Sequence, residues 1–282
     1  MHLGPVGVWW SKSWGVDGQP DLKVGPELEA MGYGAAWSSG GFGPGLAGRF
    51  GRLLADTTSL VVASGIVNIW TAAPEAVAAG VADLEAASQG RFLLGLGASH
   101  DALIEHYERP YAHMVAYLDE LDGTDPTVPK TSRVLAALGP RMLELAAERS
   151  SGAHPYFVPV EHTAWARGIL GDGPVLAPEV TVVLEADPTR AREVARTFTA
   201  GYLGLPNYAN NLRRLGYGEE DVAAGGSDRL VDAVVAWGEP AAIAARVREH
   251  HDAGADHVCL QVLTEGDGFP LAAYRELAAA LL

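Results

Sequence analysis

Short apolar, β-branched runs alternate with longer alanine-rich segments from one end of this chain to the other. Runs such as LVVASGIV and HVCLQVL are apolar almost without interruption. A strand wetted on one face would alternate apolar with polar residues, so these runs fit parallel strands covered on both faces. Candidate strands are Gly4–Trp10, Ala35–Ser39, Leu60–Asn68, Phe92–Ala98, Val134–Leu138, His154–Val158, Val180–Glu185 and Asp256–Val262. Helical patterns lie between them. In Pro74–Ser88, Val77, Val81 and Leu84 share one face and Pro74 suits a first turn. Arg141–Arg149 places Met142, Leu145 and Ala146 together, and Ala241–Ala253 stops at Gly254.

Eight strands with intervening helices predict a (β/α)8 TIM barrel, an architecture of usually ~250 residues, close to the 282 present. A doubly wound sheet is the alternative with the same strand type. The interval from Glu185 to Asp256 is about twice what one helix needs. Its Gly-, Asn- and Tyr-rich stretch, about 199–228, reads as an insertion between strands seven and eight within a single domain spanning 1–282, followed by a helix over Arg229–Trp237.

Charge narrows the partners. There are 35 acidic residues against 20 basic ones, a net charge of −15, which argues against nucleic acid and anionic membrane because phosphate contacts need clustered Lys and Arg. One cysteine, Cys259, excludes an intramolecular disulfide and a multi-cysteine metal site. MHLGPVGVWW lacks the basic and long apolar regions of a secretory signal, and no apolar stretch is long enough to span a bilayer, so the expected compartment is the cytoplasm.

Several motifs carry chemistry. Gly43-Pro44-Gly45-Leu46-Ala47-Gly48 matches G-x-G-x-x-G, but the next strand ends without the acidic residue of a dinucleotide fingerprint, so a glycine loop explains it better. The cluster Gly95-Leu96-Gly97-Ala98-Ser99-His100 ends strand four, at the face where barrel enzymes place their chemistry. Its glycines admit close approach of a flat ligand. His100 reads either as a proton carrier or as a scaffold group. At the end of strand three, Gly65 inside an apolar run and Asn68 resist a pure packing explanation, whereas Trp70 packs as readily as it stacks on a ligand. Val160-Glu161-His162-Thr163 opens a helix whose free N–H groups suit a phosphate, although Glu161 would repel one. Gly139-Pro140-Arg141 is a similar turn with Arg141 as a phosphate partner. Neither H-E-x-x-H nor G-x-S-x-G occurs.

SGIVNIW, AAPEAVAAGVADLEAASQGRFLLGLGASH and RPYAHMVAYLDELD together resemble the luciferase-like monooxygenase superfamily. With LGPRMLELAAERSSGAHPYFVPVEHTAWARGILG, LPNYANNLRRLGYG and GADHVCLQVL, the chain is most similar to the actinobacterial branch that uses the deazaflavin coenzyme F420, FMN being the alternative. The resemblance covers nearly the whole chain. It implies a cofactor across the C-terminal ends of the strands and a non-prolyl cis peptide after strand three, at Gly65–Ile66 or, failing that, Ser64–Gly65. It assigns cofactor contacts to Ser39, Ser64, Gly65, Ile66, Asn68, Gly97, Ala98 and Ser99, and phosphate contacts to Val160, His162 and Thr163. The insertion would cover the pocket, and the protein would be a homodimer acting on a small-molecule substrate.

One departure matters. Many members carry a histidine at the end of strand two, where this chain reads Trp37-Ser38-Ser39-Gly40-Gly41-Phe42. His100 is then the remaining candidate for the proton. The expected activity is an F420-dependent oxidoreductase passing a hydride between deazaflavin and substrate. The competing expectations are an FMN-dependent monooxygenase and a flavin-binding barrel without turnover.

Overall fold

Each candidate strand becomes a parallel strand or lies beside one, in a computed structural model that describes residues 1–10, 24–38, 44–100, 104, 107–264 and 268–282. In chain order these begin with β1 (Val6–Trp10), α1 (Val24–Met31), β2 (Ala35–Ser38), α2 (Pro44–Ala55), β3 (Val61–Ser64), β4 (Val67–Asn68), α3 (Pro74–Ser88), β5 (Phe92–Gly97) and α4 (Pro110–Asp122). Next come β6 (Arg133–Leu135), α5 (Pro140–Arg149), β7 (Gly152–Ala153), α6 (Val160–Leu170), β8 (Val175–Leu176), β9 (Glu179–Val183) and α7 (Pro188–Leu203). The chain finishes with α8 (Pro206–Arg214), α9 (Glu219–Val222), α10 (Asp228–Val234), β10 (Val235–Trp237), α11 (Pro240–Asp252), β11 (Val258–Val262) and α12 (Leu271–Leu281). Proline opens α3, α4, α5, α7, α8 and α11, where its missing N–H is no loss.

The sheet runs β10-β9-β11-β1-β2-β3-β5-β6-β7-β8, with β4 pairing β5. Its ends meet because β8 and β9 are separated only by Ala177 and Pro178. On one side Ala177 and Glu179 donate their N–H groups to the carbonyls of Ala153 and Pro155, each at 2.9 Å. On the other, Asp256 and Cys259 donate to the carbonyls of Leu176 and Pro178, again at 2.9 Å. The sheet therefore curls into an α/β barrel of parallel strands, as the sequence predicts.

Strand parity separates two layers. Trp9, Trp37, Ala63, Leu93, Val134, Ala177 and Cys259 form one cluster inside the barrel. Val8, Ala36, Val62, Leu94 and Leu260 face the opposite way and join the cluster that includes helix residues such as Leu28, Val77 and Leu118. A third cluster joins Val183 and Val235 to Ala195, Tyr208, Leu212 and Leu230, so the 199–228 excursion, which begins within α7, carries its own apolar packing.

Two readings need correction. Strand six is Gly152–Ala153, not His154–Val158, because Pro155 lacks a ladder donor, Tyr156 turns toward a cavity and Phe157 packs against the excursion. The helix read over Arg229–Trp237 ends at Val234, and Val235–Trp237 pairs with β9 as an extra edge strand. Both segments are apolar, and apolarity alone does not tell a sheet from another buried surface. Among the described residues no helix is long and apolar enough to cross a membrane, and no group of three His, Cys, Asp or Glu is placed to hold a metal ion.

Candidate active site

A cavity of about 720 Å³ opens at the C-terminal ends of the strands. Its floor is backbone. Gly65–Ile66 is a non-prolyl cis peptide, at the first of the two expected positions. Gly65, Ile66, Asn68, Gly97, Ala98, Ser99 and His100 all line the cavity, so seven residues singled out in the sequence come together. The floor is held from below. Ser64 is buried, its Oγ accepting from the Gly95 N–H at 2.8 Å and lying 3.1 Å from the Gly95 carbonyl to which it donates. It supports the floor and does not line the cavity.

Gly95 and Gly97 permit this approach. A Cβ on Gly95 would lie 1.9 Å from the Ser64 carbonyl oxygen, and one on Gly97 would lie 2.6 Å from Ile66 Cγ1. Asn68 Oδ1 accepts from the Trp70 N–H at 3.0 Å, and Trp70 Nε1 donates to the Ala98 carbonyl at 2.7 Å. Trp70 also stacks on His113 with ring centroids 3.9 Å apart, so packing is its role. Ser39 lies outside the described residues.

His100 stands at the rim. Its Nδ1 donates to Asn207 Oδ1 at 3.1 Å, and its ring lies 5.2 Å from Tyr208. Desolvation lowers its pKa, partly opposed by the Asn207 bond, which keeps the imidazole neutral with Nε2 as an acceptor. Asn207 and Tyr208 come from α8 and Tyr202 from α7, so the excursion does wall the cavity. Tyr156 donates to Gln261 Oε1 at 2.7 Å and shares a 3.0 Å hydroxyl contact with Tyr202, giving a rigid aromatic wall.

The cationic corner lies at Gly139-Pro140-Arg141, the second of the two turns suited to a phosphate, and not at the helix to which the resemblance assigned it. Leu138, Gly139, Pro140, Arg141 and Met142 line the cavity, so the N-terminus of α5 opens onto it. Arg141 is held over the Tyr111 ring at 3.9 Å, and Arg214 Nη2 would be 3.9 Å from a Gly139 Cβ. Val160, His162 and Thr163 do not line the cavity. His162 Nε2 donates to the Leu138 carbonyl at 3.1 Å, and Thr163 pairs with the buried His250 at 2.9 Å. The first turn of α6 thus packs behind α5.

Among the lining residues that escaped the sequence reading as site groups are Trp9, His154 and Tyr156. Trp9 looked like strand core, and the other two fell within the misplaced strand six. Their common signal is a polar atom on an otherwise apolar run.

A parallel α/β barrel with a deep cavity at the C-terminal ends of its strands, floored by backbone and rimmed by histidine, defines a barrel enzyme. A family profile described as luciferase-like monooxygenase matches residues 22–124 and 124–257, and the chain belongs to that family. Among solved structures it is similar to an F420-dependent secondary alcohol dehydrogenase in complex with an F420-acetone adduct, at 14% identity, TM-score 0.74 and 100% coverage of both chains. It is also similar to the coenzyme F420-dependent tetrahydromethanopterin reductase of Methanopyrus kandleri, at 16% identity, TM-score 0.65 and coverage of 98% and 97%. The FMN-bound oxygenating constituent of 3,6-diketocamphane monooxygenase from Pseudomonas putida is similar at 14% identity, TM-score 0.65 and coverage of 98% and 96%.

Proposed function

We propose that this protein is a coenzyme F420-dependent oxidoreductase that passes a hydride between the deazaflavin and a small organic substrate. The observation that carries the reading is one cavity with a flat backbone floor, a cationic corner and an aromatic wall. The floor at Gly65–Ile66 and Gly97–Ser99 suits a planar ring, and Asn68 offers an amide at its edge. The α5 N-terminus and Arg141 suit a phosphate. When bound, the deazaflavin supplies a two-electron hydride carrier that does not readily activate dioxygen.

The chain's own residues do the rest. Tyr156, Tyr202 and Tyr208 exclude water from the wall, which strengthens every polar interaction inside. His100, neutral and held by Asn207, accepts or returns a proton through Nε2 at the rim.

Titrating the purified protein with F420 and with FMN, followed by ring fluorescence, tests the reading. Tighter binding of F420 is expected. Tighter binding of FMN would overturn it in favour of a monooxygenase of the same fold.

A further inference from the structure

Two nearly buried side chains at the cavity present polar atoms that no group among the described residues satisfies. Trp9 is 4% exposed and His154 2%, both line the cavity, and neither Trp9 Nε1 nor His154 Nε2 has a hydrogen-bond partner among the described residues. Both lie close to the same side of Gly65. A methyl group built on Gly65 would lie 2.6 Å from Trp9 Nε1 and 3.2 Å from His154 Nε2.

Their hydrogen-bonding roles are opposite. Indole Nε1–H can only donate. His154 Nδ1 lies 2.7 Å from the Ala177 carbonyl, which can only accept, so Nδ1 carries the hydrogen and Nε2 of the neutral ring is an acceptor. The ring is fixed by stacking on Trp37, at 4.3 Å and 16°, and Trp37 donates in turn to His257 at 3.1 Å. Burial holds His154 down at about 4, so Nε2 remains an acceptor through the neutral range.

A carbonyl oxygen would satisfy only Trp9, and an ammonium only His154. A hydroxyl satisfies both, and a buried polar group left unpaired costs about 1–3 kcal/mol. Trp9 packs on Tyr156 with centroids 4.9 Å apart, which sets the pair against the aromatic wall, whereas Arg141 sits over Tyr111.

We propose that Trp9 and His154 form a hydroxyl-recognising pair, and that the substrate is an alcohol whose oxygen accepts from Trp9 Nε1–H while its hydrogen is donated to His154 Nε2. The substrate assignment rests on the oxidoreductase reading, whereas the hydroxyl preference of the pocket does not depend on which cofactor binds.

The test measures calorimetric binding of cyclohexanol, cyclohexanone and methoxycyclohexane to cofactor-free protein. It repeats the measurement on protein loaded with whichever of F420 or FMN binds. Cyclohexanol is expected to bind at least about fivefold tighter than the two probes that only accept. Trp9→Phe should weaken all three, and His154→Phe should bring cyclohexanol down to the level of the ether and leave the ether unchanged. In wild-type protein, the ¹⁵N resonance of His154 Nε2 should move upfield with cyclohexanol and stay put with methoxycyclohexane, a readout that needs no variant. Equal affinity for the three probes, no detectable cyclohexanol binding at millimolar concentration, or a still His154 resonance would overturn the pair. A preference present in free protein but lost on loading would assign the hydroxyl to the cofactor and overturn the substrate assignment. Tighter FMN than F420 binding with the preference intact would remove the cofactor reading and leave the pair standing.

Discussion

Two glycines show how a single missing atom sets the site. At Gly95 a Cβ would collide with the Ser64 carbonyl oxygen at 1.9 Å and break the reciprocal Ser64–Gly95 bonds that hold the floor. At Gly48, in α2, nothing among the described residues lies within 4 Å of the same added atom. Gly95→Ala should therefore destabilise by roughly 1–3 kcal/mol or more through overpacking. Gly48→Ala should stabilise by about 0.5–1 kcal/mol by removing backbone freedom from a helix. Thermal unfolding of the two variants against wild type checks both signs, and a Gly95→Ala protein as stable as wild type would refute the account of the floor. At this scale the sequence was readable where a residue type is out of place: Gly65, Asn68 and the Gly97–His100 turn all reach the cavity. His154 was not readable, since a histidine's meaning depends on which ring nitrogen is left over, and only the Ala177 contact decides that.

Elements bring distant residues together, and here sequence reading transferred less well. Both α5 and α6 begin after a strand with a turn suited to anions, so pattern alone could not rank them. Register ranks them. Ala136–Met142 runs along the cavity, while the first turn of α6 packs behind it through His162 and Leu138. The phosphate of the proposed cofactor should therefore rest on α5. Arg141→Gln should weaken F420 binding by roughly fivefold to tenfold, with a smaller loss at high salt because Arg141 is exposed. Glu161→Gln separates the two helices. On α6 a phosphate would bind more tightly once the carboxylate beside it is gone, whereas on α5 the affinity should not change. Fluorescence titration of both variants at two salt concentrations gives the answer, and a tighter Glu161→Gln would return the phosphate to α6. The same limit explains strand six and the Val235–Trp237 strand: an apolar run says that a segment is buried, and the neighbours decide against what.

For the whole molecule, the acidity of the sequence is compounded by where the cations go. Arg91 binds the carbonyls of Leu54, Thr57 and Leu60, Arg133 is buried against Asp122, and Arg192 pairs with Asp228 and Asp232. They bind the chain to itself, which leaves the α5 N-terminus with Arg141 to receive an anion at the cavity. The interior carries a second consequence. Burial holds His154, His162 and His257 down at about 4 and His250 at about 3, all from 6.5. The unfolded chain therefore binds more protons than the folded one as pH falls through 6.5, and stability is lost progressively down to about 4. Glu179 acts in the opposite sense. Burial raises it from 4.5 to about 8, so the folded state keeps a proton that the unfolded state has released. Its effect lowers stability as pH climbs from 4.5 to 8. Between 4.5 and 6.5 four histidines outweigh one carboxyl and stability rises with pH. Above about 7 the histidines are largely neutral in both states, Glu179 prevails, and stability falls. Urea unfolding across pH 4.5–8 should thus show a steep acid limb and a turnover near neutrality. Glu179→Gln should remove the turnover alone, because an amide can still accept from Phe157 N–H and pair with the Thr181 hydroxyl as the carboxyl does. Its stability relative to wild type should grow by about 1.5 kcal/mol between pH 6.5 and 8, since one proton held only by the folded state is worth about 1.36 kcal/mol per pH unit. A wild-type profile that keeps rising to pH 8, or a Glu179→Gln profile that runs parallel to wild type above 6.5, would show that Glu179 is ionised in the folded barrel.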